Sequence, residues 1–138
     1  MKIVVDTNRI IAALIKDSAS RRIIMHLDAE LISIDFLHKE IKKHKKLILK
    51  KANISEEELD ILFWKLVDKM VILDDSIIAR SMKEAARIMD KIDADDTPFI
   101  AAAMATGASI WSDDNHFQKQ NRINIVKTED LAKLISPL

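Results

Sequence analysis

Ile3-Val4-Val5-Asp6-Thr7-Asn8 places three β-branched residues in a row and ends the run on an acid, a hydroxyl and an amide. A strand with one wet face alternates apolar and polar residues, whereas an unbroken apolar run suits a strand covered on both faces. Such strands belong to parallel sheets, and sites in those sheets form beyond the carboxyl ends of the strands. Asp6, directly after the run, therefore has a fixed backbone position at that edge.

The rest of the chain repeats this alternation. Ile10, Ile11, Leu14 and Ile15 mark a first helix, and Ser18 or Ser20 caps a second one carrying Ile23, Ile24 and Leu27. Leu31 to Ile34 reads as a second strand and Phe36 to about Lys51 as a long helix. Ser55-Glu56-Glu57-Glu58 forms a capping box ahead of the stripe Leu59, Leu62, Phe63, Leu66 and Val67. Met70 to Leu73 is a third strand. Asp74 or Asp75 caps a helix with Ile78, Met82, Ala85 and Met89 on one face. Asp93-Ala94-Asp95-Asp96 is a turn. An alanine-rich helix follows, with Pro98 in its first turn and Gly107 as its C-cap. Ser109 to Ser112 and Asn124 to Val126 are the last two strands, and Thr128 caps a final helix. Short apolar strands alternating with helices specify an α/β fold with helices on both faces of a mainly parallel sheet.

At 138 residues with 49% hydrophobic content, one domain over 1–138 is expected, with a substantial core. Met1-Lys2 runs straight into the first strand, so no secretory leader is expected. No apolar run is long enough to span a bilayer, and a cytoplasmic setting follows as the default. The chain has no cysteine, which excludes a thiolate nucleophile, a disulfide framework and a thiolate zinc site. Lys plus Arg equals Asp plus Glu at 22 each, which argues against a nucleic-acid coating protein but not against one local nucleic-acid face.

Four acids fall at one edge of this sheet: Asp6 after the first strand, Asp114 after the fourth, Asp96 at a helix start, and Glu40 about one turn into the helix after the second strand. Singly, each has an ordinary reading: a helix cap for Asp6 and Asp96, a polar turn for Asp113-Asp114, a surface position for Glu40. Together they would repel one another unless protons or a cation neutralised them. An all-oxygen donor set suits Mg²⁺ or Mn²⁺ rather than zinc. Such an ion polarises a phosphate and activates water, so phosphodiester hydrolysis is the expected chemistry.

With these acids, the chain resembles the PIN-domain nucleases over essentially its whole length. Val4-Val5-Asp6-Thr7-Asn8 is similar to that family's opening strand and Asp-Thr-Asn signature. Asp95-Asp96-Thr97-Pro98-Phe99-Ile100-Ala101-Ala102-Ala103 is similar to its central acidic motif, and Ser112-Asp113-Asp114-Asn115-His116-Phe117 to its Ser/Thr-x-Asp-x-x-Phe motif. The resemblance implies a three-layer α/β/α fold with a five-stranded, mainly parallel sheet. It also implies Mg²⁺- or Mn²⁺-dependent cleavage of RNA, with Asp6, Asp96 and Asp114 as metal ligands and Glu40 completing the cluster. In that setting Thr7 or Ser112 orients a carboxylate, and Asn8 holds the turn after the strand. Many members resemble VapC toxins, which implies an antitoxin partner and a homodimer. The helices from Phe36 to Lys69 and the Asp93-to-Phe99 motif look more like stand-alone archaeal or bacterial members.

From His38 to Lys51 there are seven lysines. Lys39, Lys43 and Lys46 share a helical stripe and read either as a phosphate-tracking face or as a solvated one; Lys43 stands one turn from Glu40 and can pair with it. Trp64 and Trp111 read as core or interface residues. His116, two residues past Asp114, either approaches the metal or lines its pocket. Three rival functions fit the sequence less well. A haloacid-dehalogenase-type phosphatase needs an acid where Asn8 stands. A phospho-receiver fits poorly with two long helices and no strand between Phe36 and Lys69. A catalytically silent binding module sits poorly with all four acids present.

Overall fold

Every pair of neighbouring strands in the sheet runs parallel, because each strand is followed by a helical crossover rather than a hairpin. The computed structural model describes residues 1–135. Its strands are β1 (Lys2–Val5), β2 (Glu30–Ile34), β3 (Met70–Leu73), β4 (Ser109–Trp111) and β5 (Ile125–Val126). Its helices are α1 (Thr7–Ile15), α2 (Ala19–His26), α3 (Phe36–Ala52), α4 (Glu56–Val67), α5 (Asp75–Met89), α6 (Thr97–Thr106) and α7 (Thr128–Ala132). Short 3₁₀ turns cover Ala94–Asp96 and Phe117–Lys119. The strand order is β3-β2-β1-β4-β5. The chain builds outward from β1 to one side and then returns to the other, so the sheet has its switch point at β1 and β4.

The alternation within each strand divides the core into two layers. Ile3, Val5, Leu31 and Trp111 pack against α1, α2, α3, α4 and α7 on one face. Val4, Ile32, Ile34 and Ile110 pack against α5 and α6 on the other, with Phe117. This is the three-layer α/β/α arrangement expected from the sequence. Ile3, Val4 and Val5 are wholly buried, so shortening any of them to alanine costs about 2–4 kcal/mol.

The helix boundaries follow the local chemistry. Ser55 accepts from the Glu58 backbone N–H at 3.1 Å, and Glu58 accepts from the Ser55 N–H at 3.2 Å, which completes the capping box. Gly107 ends α6 with φ +71°, a left-handed conformation that glycine adopts without steric cost. Asn53 ends α3 in the same region, at φ +56°.

Two sequence expectations need correction. Thr128 is the first residue of α7 rather than its cap; the capping position is Lys127, whose N–H is accepted by Asp130 Oδ2. Thr128 is drawn elsewhere because its hydroxyl bridges Trp111 and Asp113. Of the two tryptophans read as core or interface, Trp111 is a core residue, fully buried, and Trp64 is 60% exposed on α4, with the rings of His38 and Phe63 beside it. The fourth and fifth strands are each one residue shorter than read, although the Ser112 N–H still donates to Val126 O and the Ile110 N–H to Asn124 O. Among the described residues, no helix is long and apolar enough to cross a membrane.

Candidate metal centre

Asp6 takes its place from the ladder. Its N–H donates to Trp111 O at 3.0 Å, extending the β1–β4 pairing by one residue, and its backbone then caps α1. The side chain is 4% exposed. One carboxylate oxygen accepts from the Asn8 backbone N–H at 3.2 Å, and the other accepts from Ser112 Oγ at 2.7 Å. Burial nevertheless pushes the Asp6 carboxyl above its ordinary range. The two hydrogen bonds and the nearby Arg9 charge oppose the shift, and Asp114 adds to it.

Ser112 carries the site from Asp6 to the turn after β4. While donating to Asp6, its Oγ accepts from the Asp114 N–H at 3.0 Å. Asp114 Oδ1 in turn accepts from the His116 N–H at 2.9 Å. This folds the imidazole back over the acids: His116 Nδ1 lies 3.1 Å from Asp93 Oδ2, 3.6 Å from Asp114 Oδ1 and 3.8 Å from Asp96 Oδ2.

Asp96 ends the 3₁₀ turn and precedes α6. Its Oδ2 is buried with no hydrogen-bond partner. Burial is the largest influence on it, and Asp93, Asp6 and Asp114 add their repulsion, with His116 opposing; together they raise its pKa to about 7. Glu40, half-buried on α3, stands at the margin of this group. Burial raises its carboxyl, Asp6 adds to that, and the Thr7 hydroxyl, His44 and Lys43 oppose it. Thr7 lies close enough to favour a charged Glu40, yet Thr7 Oγ1 and Glu40 Oε1 are both buried without a well-formed hydrogen bond.

The structure therefore brings Asp6, Asp96 and Asp114 within electrostatic reach of one another and attaches Glu40 through Asp6. Among the described residues, the one set of three side chains whose ligand atoms all lie within 4.8 Å is Asp93, Asp96 and His116. Asp93 was read from the sequence only as part of a turn. The signal was present: a 3₁₀ turn has three residues per turn, so positions three apart eclipse. Asp93 also shapes the turn, its Oδ1 accepting from the Asp95 N–H at 3.0 Å. Asn8 contributes through its backbone N–H to Asp6. Lys39, Lys43 and Lys46 are exposed on α3. Lys43 reaches Glu40 electrostatically without forming an ion pair, and the helix pairs instead at Lys45 with Glu56.

A second network went unread. Trp111 Nε1 donates to Thr128 Oγ1 at 3.0 Å, and Thr128 donates to Asp113 twice, from its hydroxyl at 2.6 Å and its N–H at 2.9 Å. Asp113 Oδ2 then holds Arg9 Nη1 at 3.0 Å. Partial burial alone would raise Asp113, but the Thr128 hydrogen bonds and the Arg9 and Lys127 charges hold it below its usual range.

The donor chemistry fits a hard divalent cation. Unpartnered oxygens on Asp96 and Glu40, and carboxyls raised by burial and by one another, are what metal-ligand acids show without their ion. His116 is the one nitrogen donor in an otherwise carboxylate set.

The PIN domain sequence model matches residues 4–133. This chain belongs to the PIN-domain family. No curated protein sequence matches it. Among solved structures, it is similar to a chain in the crystal structure of VapBC2 from Rickettsia felis bound to a DNA fragment from their promoter. The TM-score is 0.69 at 14% identity, over 92% of this chain and 98% of the other. That likeness establishes a shared fold, and this PIN domain follows it with β1, β2 and β4 presenting acid-bearing segments at one edge.

Proposed function

We propose that this PIN-domain protein is a divalent-metal-dependent endoribonuclease, its residues 1–138 forming one catalytic domain. The observation that carries the reading is Asp96: a half-buried carboxylate with one buried, unpartnered oxygen, repelled by Asp93, Asp6 and Asp114 at the switch point of a parallel sheet. Asp6, Asp96 and Asp114 would hold the ion, with Glu40 completing the set and Asp93 and His116 beside it. A bound Mg²⁺ or Mn²⁺ supplies charge stabilisation to a phosphodiester oxygen and lowers the pKa of a water.

The protein's own contribution is positioning. Ser112 fixes the orientation of Asp6 and favours its charged form against the effect of burial by donating to Oδ2, while its own lone pair takes the Asp114 N–H. The Asn8 N–H at the start of α1 does the same for Oδ1. Thr7 beside Glu40 favours that carboxylate's charged form. The exposed Lys39, Lys43 and Lys46 on α3 supply a cationic surface next to Glu40, suited to the RNA backbone.

The family membership supports the nuclease reading. The fold shared with a VapBC2 chain supports a toxin role with an antitoxin protein as partner. A homodimer is the assembly that the resemblance to the family implies. The test is incubation of the protein with a mixed-sequence RNA pool, with and without Mn²⁺, followed by sequencing of the new ends. Mn²⁺-dependent internal ends at reproducible sites are expected; an intact pool in Mn²⁺ and in Mg²⁺ would overturn the proposal.

A further inference from the structure

The acidic edge carries a problem that its metal does not wholly solve. Five carboxylates (Asp6, Glu40, Asp93, Asp96 and Asp114) face a substrate that is itself a polyanion, so the strand entering the cleft needs a cation beyond the metal. Among the described residues, Arg9 is the cation whose charge reaches Asp6. A groove of about 440 Å³ runs beside Asp6 and Asp114, lined also by Asn8, Arg9, Ile11 and Asp113. Arg9 lies in its wall, one turn into α1, with its side chain 22% exposed.

The guanidinium is held rather than free. Asp113 takes Nη1 at 3.0 Å, and Asp113 is itself fixed by two hydrogen bonds from Thr128, which is anchored to the buried Trp111. Among the described residues, one of the five guanidinium N–H groups is taken, by Asp113; Nε is buried without a partner, and none of them accepts from Nη2.

We propose that Arg9 is the phosphate-binding residue of the cleft, taking a phosphate of the nucleic-acid strand next to the bond being cut. Asp113 and Thr128 are its positioning residues. Arg suits this role because a planar fork matches phosphate oxygens, and pinning by Asp113 lowers the entropy lost when the phosphate docks. This inference rests on the nuclease reading above and names the residue that aligns the substrate.

The test uses the full-length wild type, Arg9→Gln, Arg9→Lys and Asp113→Asn. A fluorescein-labelled mixed-sequence RNA oligomer is bound across a salt series, and kcat and KM are measured with Mn²⁺. Arg9→Gln is expected to raise KM about tenfold and to reduce the slope of log affinity against log salt by about 0.7, the value of one lost phosphate contact on a single strand. Asp113→Asn breaks the same ion pair but keeps the guanidinium, so its slope should match the wild type. A merely structural role would make Arg9→Gln and Asp113→Asn behave alike, lowering melting temperature with no change in slope. A wild-type KM and slope in Arg9→Gln overturn the inference; should that variant not fold, a wild-type KM in Arg9→Lys does so, because that variant keeps the charge and loses the fork. A wild-type protein that cuts no RNA is a separate outcome, which defeats the nuclease reading itself.

Discussion

Ser112 Oγ donates to Asp6 Oδ2 across 2.7 Å, joining the ends of β1 and β4 inside the buried edge of the sheet. The two residues are 106 positions apart in sequence, and both are essentially buried. A hydrogen bond to a buried carboxylate in this position decides how much negative charge the edge can hold.

Ser112→Ala should therefore act on charge as well as on stability. It leaves Asp6 Oδ2 and the Asp114 N–H without a partner, at a cost of about 2 kcal/mol near neutral pH. It should also push the Asp6 carboxyl further upward, because the hydrogen bond opposes the effect of burial. The expected outcome is a lowered melting temperature and a Mn²⁺ affinity reduced about 10- to 100-fold, partly recovered as pH is raised. Calorimetric titration of Mn²⁺ at two pH values checks this; an unchanged affinity would remove Ser112 from the site.

The stability of the metal-free protein should fall as pH rises from near 3.8 to about 7. Asp96 binds its proton more tightly folded than unfolded, because burial and then Asp93, Asp6 and Asp114 raise it to about 7. Below 3.8 both states are protonated and nothing is lost; above about 7 the folded state carries the whole penalty, on the order of 2–4 kcal/mol. Asp6 and Glu40, also raised, push in the same direction. Asp113, held low, contributes the opposite: its stabilisation is present above the ordinary carboxylate range and is lost only on acidification through its lowered value. Urea midpoints measured in chelator across this range check the slope, and saturating Mn²⁺ should flatten it.

Thr128→Val tests the second network. It leaves Trp111 Nε1 without its acceptor and takes one donor from Asp113. A loss of about 2 kcal/mol is expected, seen as a drop of several degrees in melting temperature. Trp111 fluorescence should report the change, because its indole N–H faces this site. Unaltered melting would show that Trp111 and Asp113 do not depend on the threonine.

Replacing Lys39, Lys43 and Lys46 together with glutamine should weaken RNA binding most at low salt and reduce its salt dependence. All three are exposed on α3, so melting temperature should change little. An unchanged salt slope would identify that helix face as a solvated surface.

The layers of this fold were legible because the strands are short, apolar and β-branched, and because capping signals such as Ser55-to-Glu58 and Gly107 punctuate the helices. The sheet edge was legible for the same reason: a residue directly after a buried strand has few places to go. Asp6 is such a residue, Asp114 stands three residues past the end of β4, and Asp96 follows from its helix start. What the sequence hid depends on side-chain reach between distant segments. Arg9 and Asp113 are 104 residues apart, and neither carries a local pattern that pairs them. Thr128 looked like a cap because caps and long-range bridges use the same hydroxyl. Asp93 was lost because the Asp-rich turn was read as a turn alone, without the 3₁₀ spacing that stacks it over Asp96. Helical spacing alone leaves a tryptophan such as Trp64 open to a core or an interface reading, and its exposure removes the core one.

The central claim, that these carboxylates form one cation site, is tested most directly by thermal melting of wild-type protein and Asp96→Asn at pH 8, in chelator and in Mn²⁺, a condition above the value of about 7 reached by Asp96. The account predicts that Asp96→Asn melts at or above the wild type in chelator, since one repelling charge is gone, and that its Mn²⁺-induced rise is largely abolished. A variant that melts below the wild type in chelator and keeps the full Mn²⁺ shift would contradict the account.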